Sequence, residues 1–368
     1  MSVRVLPAVV AALLAVLAAV LLFVPFVARE HRRRGELRPG SLLLFLAALL
    51  YSLALVAYVL VPLPPLGPGF CAEFGDLQPQ WRPLAGFDGV QRPQSWVELT
   101  GLLADPAVQQ FGFNVLLFVP LGVFARHLAR LSVPWSVLGG LAASLAIEVT
   151  QVTGIWFLYP CPYRQFDVDD LIANTAGALV GALAAPLLRW LPGQGAAADA
   201  GAPRPVTAAR RLLGMACDLL VLLAAGLIVG HGVDLVLRAG GVPLAGGAQV
   251  WVESAALWGL PALVLLVVSA RGMSPGQRAV LLRPAERPGA GAVLLRWLSG
   301  VGGLAIGEAV INVLAPSAGA GFALVWGAVH VAAVLRSRNH RGVTGRVAGI
   351  ELRDARDSGA ETAVAPEQ

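Results

Sequence analysis

Long apolar runs, separated by short loops that carry arginine, constrain this chain more than any other feature. A helix needs about 20 apolar residues to cross a bilayer, because in lipid every backbone N–H and C=O must be satisfied within the segment. Runs that reach or approach that length occupy residues 5–28, 41–61, 111–125, 135–153, 167–190, 212–237, 252–270, 293–314 and 319–335. They predict an all-α fold, a polytopic transmembrane helix bundle of roughly nine spans. Hydrophobic residues make up 57% of the chain and charged residues 13%, with mean hydropathy +0.72, more apolar surface than a soluble core hides.

The charges give the orientation. All 27 basic residues are arginine, and the net charge is +5. In a soluble chain such a balance points to nucleic acid. Here the arginines sit in short loops between apolar runs, which the positive-inside rule explains, so no nucleic-acid partner is expected. The basic stretch 29–34 follows the first run, whereas a signal peptide carries its charge ahead of it, so the first run reads as an uncleaved anchor. The N-terminus is then outside and the C-terminus inside, in a multi-pass protein of the plasma membrane. The absence of lysine beside abundant Ala, Gly, Arg and Pro suits a GC-rich bacterial genome.

Composition divides the chain into a first membrane domain (1–191), a flexible cytoplasmic linker rich in Gly, Ala and Pro (192–210), a second membrane domain (211–336), and a charged cytoplasmic tail expected to be disordered (337–368). The longest polar loop, 62–110, falls outside the membrane, and its segment 96–103 suits an interfacial helix.

Within residues 144–181, polar residues interrupt the apolar sequence at helical spacing. Ser144, Glu148 and Gln151 lie a turn apart, and Asp167, Asp170, Asn174, Gly177 and Gly181 follow at steps of three or four, on one face of a helix. Acids in an apolar span are expensive and mark a protein interior or a wet cavity, although an Asp at a helix start also caps N–H groups. Topology brings Asn114, Glu148, Gln151, Asp167, Asp170 and Asn174 to the outer face, with Arg164 in the loop between two of these spans. Gly122, Gly177 and Gly181 allow close helix approach beneath them. The set supports several chemistries: Arg164 gripping a phosphate or carboxylate, the acids binding a hard cation, Glu148 acting as acid or base, or an ion-pair network that only ties helices together. The metal, if any, is undetermined. No Ser/His/Asp set, phosphate-binding loop or zinc spacing occurs, and no cofactor is expected. Cys71 and Cys161 both fall on the outer side, where disulfides persist, and are either a bonded pair over the site or two separate thiols. Cys217 lies in a span, as a packing residue.

The run Asn114, Phe118, Pro120, Gly122, Glu148, Gln151, Arg164, Asp167, Asp170, Asn174, Gly177 and Gly181 resembles the VanZ-like family of bacterial membrane proteins, over about residues 41–190. One departure is visible: Arg164 follows a longer insert with Tyr159, Pro160, Cys161 and Pro162, where the family has a short Gly-Arg loop. The resemblance implies a link to teicoplanin-type glycopeptide resistance without naming a reaction. The second half is similar to the RDD family, with Arg211, Asp218 and the loop Ser274–Arg278 in matching places and no clear counterpart for the family's final aspartate. Together these imply an outward-facing pocket that binds or processes an envelope lipid or a glycopeptide-related ligand. Glu148, Asp167 and Asp170 would be the reacting acids, and Asn114, Gln151, Arg164 and Asn174 the ligand-binding groups. The partners implied are membrane lipids, such as a polyprenyl phosphate or an envelope precursor. The competing readings are an ion-coupled transporter, drawing on Asp218, Asp234, Glu253 and Glu308, and an accessory protein with no chemistry of its own.

Overall fold

The computed structural model describes residues 5–60, 67, 69–74, 77–90, 101–190, 199, 201–241 and 247–357, and the side chains of these except 5–17, 59, 60, 73, 74 and 316. Among them, seven helices are long and apolar enough to cross a membrane, and a bent pair would add an eighth. The seven are α2 (Pro39–Leu60), α3 (Pro106–His127), α4 (Val133–Val152), α5 (Val168–Trp190), α6 (Ala208–Ala239), α7 (Gly247–Ser269) and α10 (Gly319–Arg336). The pair is α8 (Ala290–Leu298) with α9 (Val301–Leu314). The first apolar run lies on α1 (Val5–Arg34), which is not among the seven.

Helix starts follow local chemistry. Asp105 caps α3 by accepting from Ala107 N–H, with Pro106 in the first turn, so this helix opens ahead of its apolar run. Asp167 caps α5 and Thr207 caps α6 in the same way. The expected single span 293–314 is instead broken, with a 47° bend between α8 and α9. Gly300 leaves helical geometry there (φ −124°, ψ −124°). A Cβ on Gly302 would run into the Trp297 ring, so the glycines let that indole fold back and donate to Ala262 O at 2.9 Å.

The chain forms two compact units: Met1–Ala12 with Arg38–Gly195, and Leu13–Leu37 with Ala196–Gln368. The first domain was expected as 1–191, whereas residues 13–37 group with the second unit. The reason is packing: Val27 is fully buried against Cys217, Ala279, Val280 and Leu282, and Glu36 pairs with Arg204 at 3.0 Å. A contiguous reading of the sequence has no view of such a long-range apolar contact.

The linker and tail also differ from expectation. Residues 191–198 and 200 lie outside the described residues, but the linker's end is fixed: Arg204 N–H donates to Asp354 at 3.1 Å, and α6 opens at Ala208. Residues 337–357, expected as part of a disordered tail, carry short regular elements. Strand β1 (Leu282–Pro284) pairs antiparallel with β2 (Leu352–Asp354), and the short helix Gly342–Val347 precedes β2. The buried Asp354 holds Arg210 at 2.8 Å, an interaction stable only with its partners in place. The rest of the tail, 358–368, lies outside the described residues, as does the interfacial-helix segment 96–103 apart from 101–103.

Candidate functional site

The polar stripe lies among α3, α4 and α5 in the first unit. Close helix approach comes first. A Cβ on Gly177 or Gly181 would strike the carbonyls of Val115 or Val119, and one on Gly122 the carbonyl of Ala178, so α3 and α5 meet backbone to backbone. That approach brings Asn114 of α3 against α5, where its amide donates to Asp170. From the other side, α4 presents Ser144, which accepts from the Asn174 amide at 2.9 Å. A turn on, Glu148 is 2% exposed and accepts from Asp167 N–H at 3.1 Å. Gln151 is buried one turn further. Three hydrogen bonds therefore tie α5 to its neighbours: Asn114 to Asp170, Ser144 to Asn174, and Glu148 to the Asp167 N–H at the start of α5.

Asp167 is first of all the cap of α5: its carboxylate accepts from Asp169 N–H at 2.9 Å and from the Gln80 amide at 3.2 Å. The loop 77–90 is tied down here, since Gln80 also pairs with the backbone around Asp167. Asp169 holds the same loop by accepting from the N–H groups of Leu84 and Gly86. Asp169 and Gln80 do not belong to the sequence-predicted set. Asp169 falls off the periodic face, and its only sequence signal is an extra acid in the first turn of a helix.

Arg164 is exposed at the edge of the network. Among the described residues it makes no ion pair, yet its charge acts on both Glu148 and Asp170. Cys71 and Cys161 are bonded, with Cα atoms 5.8 Å apart, and fasten the polar loop to the turn after α4. Phe70, Tyr159 and Tyr163 pack around that bridge with ring centroids 5.4 and 5.5 Å apart. Burial pushes the Tyr163 hydroxyl up from its ordinary value, so it stays protonated. The Asn174 carbonyl oxygen is buried and has no hydrogen-bond partner among the described residues. Among the described residues, no three His, Cys, Asp or Glu side chains are placed to hold a metal ion.

In the second unit, Arg211 and Asp218 lie on α6 but do not bond to each other. Arg211 donates to the carbonyls of His340 and Arg341, at 3.1 and 2.8 Å. Asp218 accepts from the Ser274 hydroxyl at 2.6 Å and from Gly276 N–H at 2.7 Å.

Apolar helices of spanning length with a buried polar network between them define an integral membrane protein. Residues 45–189, which hold the network, match the VanZ/LLP1 family. No curated protein and no solved structure matches the chain.

Proposed function

We propose that the VanZ/LLP1-like region is a bacterial envelope module that binds the polar head of a cell-envelope lipid, or a glycopeptide-related ligand, at the outer face of the plasma membrane. The observation that carries this is Arg164: an exposed guanidinium without an ion pair among the described residues, three residues after the disulfide-bonded Cys161 and close enough for its charge to act on the buried Glu148 and Asp170. A guanidinium grips phosphate or carboxylate through paired N–H groups. Glu148, Asp167 and Asp170 then orient the head's hydroxyl or amide groups and exchange protons with them, while Asn114, Gln151 and Asn174 supply neutral donors and acceptors. The RDD-like half serves assembly or regulation in this reading.

Alanine in place of Glu148 or Asp170 is expected to abolish glycopeptide tolerance and alter the envelope-lipid profile at normal expression. Unchanged susceptibility and an unchanged lipid profile in both variants would overturn the proposal. A second reading, a network that only locks helices, is favoured by one observation: Asp167, Asp169 and Asp170 already accept from protein donors. It predicts that Asp170→Asn lowers stability and function in step.

A further inference from the structure

The second unit holds a cavity of about 360 Å³ whose chemistry differs from the first site. Two arginines line it, Arg211 on α6 and Arg296 on α8, only 6% and 8% exposed. Their described bonds go to carbonyl oxygens alone: Arg211 through Nε and Nη2 to His340 and Arg341, and Arg296 through Nη1 to Gly272 at 2.8 Å. Among the described residues, no hydrogen bond is made by Arg211 Nη1 or by Arg296 Nε or Nη2. No ion pair among them joins either arginine to a carboxylate. The one acid in the wall, Asp218, is occupied by Ser274 and Gly276. The cavity thus encloses two positive charges against one negative.

Buried charge without a partner is costly, so a space of this kind favours an anion that completes the pairing. Two guanidiniums with free N–H groups suit a phosphate, which accepts from both. The remaining wall is apolar, with Trp297, Leu304 and Trp326. Its exposed edges are apolar too: Leu219 of α6 and Val331 of α10 line the cavity and are 38% and 42% exposed. An opening rimmed by apolar side chains on membrane helices admits an acyl chain more readily than a hydrated ion.

We propose that this cavity binds the phosphate head of an anionic membrane lipid, with Arg211 and Arg296 holding the phosphate and the lipid chain leaving between α6 and α10. The arginine-rich loops at this end of the helices match a leaflet that carries anionic lipid.

The test uses the full chain in detergent, titrated separately with phosphatidic acid, inorganic phosphate and oleate. Thermal midpoint and native mass spectrometry are the readouts. Phosphatidic acid is expected to raise the wild-type midpoint and to stay bound in the spectrometer, and Arg296→Gln to weaken its binding roughly tenfold or more. Equal binding by wild type and Arg296→Gln would overturn the proposal. A response to inorganic phosphate or oleate equal to that for phosphatidic acid would overturn the lipid-phosphate assignment. Should Arg296→Gln fail to fold, Arg296→Lys keeps the charge and loses the planar fork, and unchanged affinity in it would be equally fatal. Asp170→Asn, in the other unit, is expected to keep the response, which separates this site from the first.

Discussion

Glu148 shows how one side chain can serve both packing and chemistry. Its carboxylate is the acceptor for Asp167 N–H, at the point where α5 begins. Glu148→Gln retains an acceptor there and is expected to leave the thermal midpoint nearly unchanged while removing the charge. Glu148→Ala orphans a buried donor and should cost about 1–3 kcal/mol. Denaturation of both variants checks the difference, and equal losses would contradict the bonding described. Asp354 gives a pH-dependent counterpart. Burial pushes its carboxyl up, but the N–H groups of Arg356 and Arg204 and the Arg210 guanidinium outweigh burial and hold it below its ordinary value. A lowered folded value means that the stabilisation is present above the unfolded value of about 3.9 and is lost as pH falls through the folded one. Melting the protein from about pH 6 down to about pH 3 should show that loss, and Asp354→Asn should remove it together with about 3–5 kcal/mol at neutral pH. At this scale the sequence was readable wherever periodicity applied. Glu148, Asp170 and Asn174 stand at helical spacing with other polar residues of their helices, and each faces a neighbouring element: Asp170 meets Asn114, Asn174 meets Ser144, and Glu148 meets the Asp167 N–H. Asp169 and Asp354 were not readable, because their partners lie 83 to 150 residues away and no local pattern encodes such a contact.

Among the elements, α5 depends most on what it lacks. Gly177 and Gly181 face the backbone of α3 with no room for a Cβ. Gly181→Leu should therefore separate α3 from α5, pull Asn114 away from Asp170, and lower stability by more than the ~1–3 kcal/mol of an ordinary overpacked core. Cross-linking between cysteines placed on the two helices would report the separation, and an unchanged cross-linking yield would contradict it. The bridge between Cys71 and Cys161 closes a separation of 90 residues, so reduction should destabilise the first unit by about 2–5 kcal/mol. Comparing melts with and without reductant measures this. Spans were legible as elements because length and hydropathy are local properties. The bend at Gly300 was less so, because it depends on where the Trp297 ring folds back. The segment 337–357 was less legible for a related reason: its charges look solvated in sequence, yet the Asp354 carboxylate and the Arg341 carbonyl both meet arginines of α6.

At the level of the whole molecule, the two units carry separate polar sites, one fastened by a disulfide and the other built on buried arginines. Residues 13–37 group with the second unit, so a charge at Val27 should disturb that unit and spare the first. Val27→Asp is expected to raise hydrogen exchange around Cys217 and Val280 while leaving exchange in α3 to α5 unchanged. Greater exchange in α3 to α5 would contradict the grouping. The central claim concerns the first unit, that its polar network with Arg164 is a binding site for an envelope-lipid head. It is tested most directly by the thermal midpoint of detergent-solubilised wild type and Asp170→Asn, each with and without a polyprenyl phosphate. A ligand that binds the folded state raises the midpoint by mass action. The account predicts a rise in wild type that is absent in Asp170→Asn. No rise in either, with a large drop on mutation alone, would contradict it and leave the network as a lock between helices.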